Sequence, residues 1–401
     1  MLKEQKYLKK AGTILFIVIM NMFAPLSLDM YLPAVPTMAD YFHTTKVLVN
    51  FSLVGFFFFF AIGIILSGPL SDKHGRKTSL TVGGILYVGA SLACAESVSI
   101  YMLIISRILQ ALGAGAMVAI STALVKDCFD GSIRQKVLAI VQGMSVLAPM
   151  LAPLAGALIL KYFSWRATFR VLVGIGVLCL ILTAALQETL PPEERTDGDL
   201  GQSLKRLAAV GKNRSFRYLL LVAALAAAPY LAYISVCSYI YIDYFGVSQQ
   251  VYSYYFAFNS GFAVLGPCLY IFGTKRVRDR TLLTFLILLA EFAGVSMFFA
   301  GRISPLVFML TFLPFTLAEA AIRPLSTNIL LDQQKGDTGS ASSLINFTQT
   351  VFGSIGMFLG GLPWPNFNRG LSIIILSFAS ASMIGWILLQ RSKWCPEELR
   401  R

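Results

Sequence analysis

Histidine is almost missing from this sequence: His43 and His74 are the only two, and neither belongs to an HExxH pair that could hold a catalytic zinc. A Gly-x-x-x-x-Gly-Lys-Ser/Thr run is missing too, so no loop is built to cradle nucleotide phosphates. No two acids stand at a spacing suited to hydrolysis. These absences exclude metal-assisted hydrolysis and ATP-driven pumping and argue that the chain is not an enzyme. Charge is also scarce. Only 13% of the 401 residues are Asp, Glu, Lys or Arg, about half the share found in soluble domains, which excludes an ordinary soluble protein. The six cysteines (Cys94, Cys128, Cys179, Cys237, Cys268, Cys395) include no CxxC, so they read as small packing residues and not as a metal site. The net charge of +13 comes from short basic clusters without interleaved aromatics, which argues against a nucleic-acid partner.

What is present is apolar length: hydrophobic residues make up 56% of the chain. Twelve runs approach the roughly 20 residues that a bilayer span needs: 12–35, 47–68, 78–96, 100–125, 137–160, 167–187, 218–240, 251–273, 281–300, 305–328, 339–362 and 370–390. The longest polar interruption, 188–217, falls between the sixth and seventh runs. The expected fold is therefore an all-α integral membrane protein of twelve transmembrane helices in two six-helix halves. Residues 1–187 form the first half, 188–217 a cytoplasmic central loop and 218–401 the second half. Lys3, Lys6, Lys9 and Lys10 precede the first run as they would in a signal peptide, but that run continues too far and lacks a small-x-small site, so it is kept in the mature protein. If the N-terminus lies inside, the outside loops hold only Lys46, Lys161, Arg166, Arg170, Arg302 and Arg369 of the 33 Lys and Arg residues. Basic loops stay cytoplasmic, so both termini and the central loop are expected there.

Ionisable residues within spans are costly, about 2.5 to 3.5 kcal/mol on insertion scales, and each is a functional candidate. Five qualify: Asp29, Arg107, Glu291, Glu319 and Arg323. Counting from the midpoints of their spans puts Asp29 and Arg107 at one level, about 8 Å outward of the bilayer centre. Two readings stand for them: a permanent ion pair that locks two helices, or an acid that loads and releases a proton as its Arg contact changes. Glu319 and Arg323 share a helix face at i,i+4, and either neutralise each other or line a cavity. Glu291 has no local partner and is either neutral packing or a coupling group.

Three motifs carry a resemblance. Gly68, Pro69, Leu70, Ser71, Asp72, Lys73, His74, Gly75, Arg76, Lys77, expected as the loop between spans two and three, resembles the Gly-x-Leu-x-Asp-x-x-Gly-Arg-Lys signature of the major facilitator superfamily. Its glycines allow a tight connection, and Asp72 can face a helix N-terminus and pair with Arg76. Arg107, Gln110 and Ala111 resemble that family's Arg-x-x-Gln-Gly segment, with Ala111 where the glycine is usual. Gly143, Pro149, Pro153 and Gly156 look like its kinked exporter segment, although the strict Gly-Pro-x-x-Gly-Gly form is not kept. Closer still, Leu28, Asp29, Met30, Tyr31, Leu32, Pro33, Ala34 and the stretch from Tyr233 through Asn259 are similar to the Bcr/CflA-type drug-resistance transporters, which are drug/proton antiporters.

This resemblance implies proton-coupled efflux of small amphipathic solutes or drugs across a bacterial inner membrane by alternating access. Asp29 and Arg107 would couple the proton, and Gly68, Asp72, Gly75, Arg76 and Lys77 would form a cytoplasmic latch. By the same analogy Asn21, Tyr31, Gln110, Ser145, Tyr233, Asn259, Glu319, Arg323 and Asn346 would line the substrate cavity. A proton-coupled importer (symporter) of one metabolite on the same fold is the alternative. No cofactor is implied beyond the proton gradient. The expected partners are a small-molecule substrate, protons and membrane lipids, with the protein acting as a monomer.

Overall fold

The computed structural model describes residues 5–195, 200–334, 338–396 and 399. Lys3, Lys335, Arg400 and Arg401, all part of the expected cytoplasmic basic set, lie outside the described residues. Apolar runs in lipid must satisfy their backbone groups internally, and helices do so within one segment. The chain folds accordingly. Within residues 1–200 the helices are α1 (Lys9–Asn21), α2 (Phe23–Asp29), α3 (Val35–Tyr41), α4 (Lys46–His74), α5 (Arg76–Ala95), α6 (Ile100–Cys128), α7 (Gly131–Tyr162) and α8 (Arg166–Ala185). After them come α9 (Leu200–Lys212), α10 (Arg214–Ser238), α11 (Gln249–Phe262), α12 (Leu265–Thr274), α13 (Asp279–Ala300), α14 (Pro305–Asp332), α15 (Thr338–Gly360) and α16 (Phe367–Arg391).

Two compact units result, Met1–Leu200 and Gly201–Arg401. In the first, α6 packs on α4 and α5, α5 on α8, and the broken opening span on α6 and α7. In the second, α14 packs on α12 and α13, α13 on α16, and α10 on α15. Numbered as spans, these are the same neighbours, so each unit repeats one six-helix pattern. Close approaches repeat as well. A Cβ on Gly156 would strike the Met30 carbonyl, and one on Gly356 would strike the Ala228 carbonyl. Glycine at these crossings lets two backbones touch, as small residues do at membrane-helix interfaces.

Among the described residues, eleven helical stretches are long and apolar enough to cross a membrane. The expected eleventh span, α15, is not among them, although its 23 residues are long enough. Its deficit is polarity. Asn346 donates to the Ser342 carbonyl at 3.0 Å, Thr350 to Asn346 O at 2.8 Å and Ser354 to Thr350 O at 2.9 Å, so these groups are satisfied on the helix's own backbone. The fold is that of a twelve-helix transporter, with α15 packed on α10, α14 and α16.

Three local expectations are corrected. The first span is not one helix: Pro25, Pro33 and Pro36 accompany breaks that leave α1, α2, a 3-10 turn at Leu32–Ala34 and α3, because proline lacks the N–H that a continuous helix needs. The segment 68–77 is not a ten-residue loop. Helix α4 runs to His74, α5 begins at Arg76, and Gly75 at φ +93° makes the whole turn. Within 188–217 stand a 3-10 turn (Pro192–Glu194) and the amphipathic helix α9.

Candidate functional site

The breaks in the opening span place its polar residues. Asp29 is the last residue of α2 and only 5% exposed, and among the described residues no hydrogen bond or ion pair engages its carboxylate. The expected contact with Arg107 is therefore not formed as an ion pair in this structure. Arg107, fully buried on α6, instead reaches the same helix through its backbone: Nη1 donates to the Ser27 carbonyl at 2.8 Å and to Gln110 Oε1 at 2.6 Å. Its guanidinium lies over Phe56, 4.2 Å from the ring centroid, and within 5.4 and 5.7 Å of the Tyr31 and Phe169 centroids. An aromatic cage of this kind stabilises a cation out of water. Nε and Nη2 find no hydrogen-bond partner among the described residues. Buried donors left unpaired cost about 1 to 3 kcal/mol each, so this guanidinium has unused capacity where it holds Ser27, the residue two before Asp29 in the chain.

The surrounding network was not anticipated from the sequence. Gln110 Nε2 donates to Ser91 Oγ at 2.8 Å, Ser27 and Tyr87 share a 2.7 Å hydroxyl contact, and Tyr31 and Ser52 share one at 3.3 Å. Ser27, Ser52 and the Tyr87/Ser91 pair come from three helices, and only Tyr87 and Ser91, one turn apart on α5, are linked by spacing. Their hydroxyls in apolar runs were the only available signal.

Of the expected cavity residues, Tyr31 and Gln110 join this cluster. Asn21 does not: it ties α1 to α6 by donating to Ser121 Oγ at 2.7 Å. Ser145 is exposed and bonds its own helix at Val141 O. Asn346 is exposed on α15.

The second unit has its own cluster. Tyr233 stacks on Phe312 with centroids 4.0 Å apart, and Phe256, Phe308 and Tyr241 complete an aromatic core. Tyr241 stands in a π-helical stretch, Tyr239–Tyr244, that continues α10. Such stretches mark functional or strained positions. Asn259 accepts from Thr316 Oγ1 at 2.7 Å, while its Nδ2 and Ser260 Oγ have no partner among the described residues. Glu319 is half-buried one turn beyond Thr316, and Arg323 is exposed. No direct ion pair joins the two among the described residues. Glu291 is half-buried on α13.

At the Gly75 turn the expected latch residues do meet, with additions. Arg76 Nη1 donates to Asp72 Oδ1 at 2.5 Å and to Ser71 Oγ at 2.6 Å, and its Nε donates to Asp127 Oδ2 at 3.0 Å. The open N-terminus of α5 is not faced by Asp72 as expected. Glu188 fills that place, accepting from Arg76 N at 2.9 Å and Lys77 N at 3.1 Å. A carboxylate there satisfies orphan donors and opposes the helix dipole. Lys77 Nζ donates to Ala184 O at 2.8 Å, and a Cβ on Gly68 would meet open space. In the α7 segment, Pro149 and Pro153 lie within a continuous helix, Gly143 borders open space, and Gly156 meets Met30.

The profile of the Major Facilitator Superfamily matches residues 17–357. A relative in Bacillus subtilis (strain 168), an uncharacterized MFS-type transporter named YdgK, is 32% identical over 339 residues, covering 82% of this chain and 84% of its own. A chloramphenicol resistance protein of Pseudomonas aeruginosa is 33% identical over 248 residues, 62% of this chain and 58% of that protein. The multidrug resistance protein MdtL of Citrobacter koseri is 24% identical over 370 residues, 91% and 92% of the two chains. Among solved structures, a D-xylose-proton symporter superposes with a TM-score of 0.75 at 16% identity, covering 97% of this chain and 98% of that one. At that identity the likeness concerns the fold alone.

Proposed function

The chain belongs to the Major Facilitator Superfamily, and from that premise we propose that it is a Bcr/CflA-type antiporter, exporting small amphipathic solutes in exchange for protons. It is a multi-pass membrane transporter and not an enzyme. The observation that carries the proposal is Asp29: an acid buried at the end of a broken membrane helix, with no hydrogen bond or ion pair among the described residues, on the same short helix whose Ser27 carbonyl the caged Arg107 holds.

A charge buried without a partner is expensive, so proton loading at Asp29 removes that cost, while contact with the two unused Arg107 donors would remove it in another way. Exchanging one solution for the other couples proton uptake to a shift of α2 against α6. Such an exchange needs a helix that can move locally, and the breaks around α2 supply it. The drug-resistance names of the chloramphenicol and MdtL relatives support export, as does the Gly/Pro-rich sequence of the α7 segment. In this reading the protein sits in the bacterial inner membrane with both termini cytoplasmic, works as a monomer and needs no cofactor beyond the proton gradient.

The test is a susceptibility and transport panel in a host stripped of its own pumps, with chloramphenicol and ethidium as probes. Wild type is expected to raise tolerance and to drive proton-dependent efflux, and Asp29→Asn to abolish the proton dependence. Uphill efflux at the wild-type rate by Asp29→Asn would overturn the proposal. So would proton-driven uptake of the probes by wild type, which is the importer outcome.

A further inference from the structure

Of the Lys and Arg residues that fall in outside loops on the topology above, several are locally engaged. Arg170 pairs with Glu96 at 2.9 Å, Arg166 donates to Ser97 O and Tyr41 Oη, and Lys161 lies over the Tyr162 ring. Arg302 and Arg369 differ. Both line one cavity of about 440 Å³ in the second unit, together with Tyr244, Phe298, Phe299 and Ile303, and neither makes an ion pair among the described residues. Their contacts are weak: Arg302 Nε reaches Tyr244 Oη at 3.4 Å, and the Arg369 guanidinium lies 5.9 Å from the Phe298 centroid. Asp243, next in sequence to the lining Tyr244, is not itself among the lining residues.

The cavity lies where the π-helical extension of α10, the C-terminal end of α13 and the first turn of α16 come together. Arg302, just past the end of α13, is favoured by that helix's carbonyl end. Arg369 is not favoured locally, because it stands in the first turn of α16 beside the positive helix end. Two planar guanidiniums on one cavity without a carboxylate make a receptor for a tetrahedral oxyanion, since each can offer paired donors to phosphate oxygens. The apolar surroundings narrow the source of that anion. Phe299 is 78% exposed and Ile303 72%. Phe292 and Val295, seven and four residues before Phe299 on α13, continue an exposed apolar stripe away from the cavity. A ligand with a phosphate at one end and hydrocarbon at the other matches both features.

We propose that Arg302 and Arg369 bind the phosphodiester head group of an anionic phospholipid, in the leaflet at the end of the second unit remote from α9, with an acyl chain along Phe299, Val295 and Phe292. Basic pockets between membrane helices recognise such head groups elsewhere. The site is independent of the transported solute and of Asp29.

The experiment uses the full-length protein in detergent, titrated with dioleoyl phosphatidylglycerol, dioleoyl phosphatidylcholine or inorganic phosphate and read by native mass spectrometry. Wild type is expected to retain one phosphatidylglycerol in preference to phosphatidylcholine, with inorganic phosphate failing to displace it. Arg302→Gln with Arg369→Gln is expected to weaken that retention about tenfold, the scale of losing charge-assisted bonds to phosphate. The single variants Arg302→Lys and Arg369→Lys, which keep charge and fold but lose the planar fork, are expected to weaken it less, by about threefold. Lys161→Gln, which removes an outer cation away from the cavity, should leave it unchanged. Equal retention of the two lipids, unchanged retention in the double Gln variant, or an equal loss in Lys161→Gln would overturn the proposal. Displacement by inorganic phosphate at matched concentration would overturn the lipid assignment in favour of a soluble anion site.

Discussion

Arg107 is a guanidinium in an aromatic cage with its donors only partly used, and its neighbours decide what substitutions do. Lysine in its place keeps the charge but loses the planar group that lies over Phe56 while its Nη1 donates to the Ser27 carbonyl and Gln110. Arg107→Lys is therefore expected to lower efflux about tenfold, measured as ethidium efflux from energised cells, with the protein still present at wild-type level. Asp29→Asn keeps size and removes the exchangeable proton. In everted vesicles, adding substrate to wild type should partly dissipate the imposed pH difference, and in Asp29→Asn that response should vanish while equilibrium substrate binding persists. A response of normal size in Asp29→Asn would move the coupling group elsewhere, with Glu319 and Glu291 the remaining half-buried acids in spans.

At the level of elements, two turns and crossings depend on glycine for different reasons. Gly75 combines a positive φ with Glu188 and Arg195 where a Cβ would stand. Gly156 has an ordinary helical backbone, but the Met30 carbonyl occupies the space of a Cβ, whereas Gly143 on the same helix borders open space. Gly156→Ala is therefore expected to destabilise the protein by about 1 to 3 kcal/mol through overpacking, seen as a lowered melting temperature in detergent, and Gly143→Ala to leave it unchanged. Similar melting for the two variants would contradict the close α2–α7 approach. Glu188→Gln keeps the shape of the α5 cap and removes its charge, which should cost about 0.3 to 1 kcal/mol. The same melting assay reads that loss, and Asp72→Asn, which does not touch those N–H groups, serves as its comparison.

Across the whole molecule, the repeated packing of the two six-helix units makes each a body with its own core, and the proposed antiport would draw its work from the proton gradient across the membrane. Collapsing the pH difference with nigericin while the membrane potential is held is expected to abolish substrate gradients built by the wild type. Gradients that survive would show that the pH difference is not the driving force. Reporter fusions at either terminus are expected to show cytoplasmic localisation, and a periplasmic signal from either would reverse the topology drawn from the Lys and Arg distribution.

Periodicity and charge alone carried the architecture a long way. Apolar runs of bilayer length, separated by short polar joints, leave a helix as the only economical backbone, which is why the twelve segments and the six-plus-six division were legible. The Asp72–Arg76 pair was legible for a similar reason, since four residues on a helix bring side chains together. Neither rule reaches across the chain. That Glu188 and not Asp72 caps α5, that Arg107 grips a carbonyl of α2 and leaves Asp29 unpaired, and that Arg302 and Arg369 meet at one cavity depend on contacts between segments roughly 60 to 110 residues apart. Those contacts come from helix crossings and single-glycine turns, which set the direction of each side chain in space, and no pattern along one strand of sequence encodes a direction shared with another.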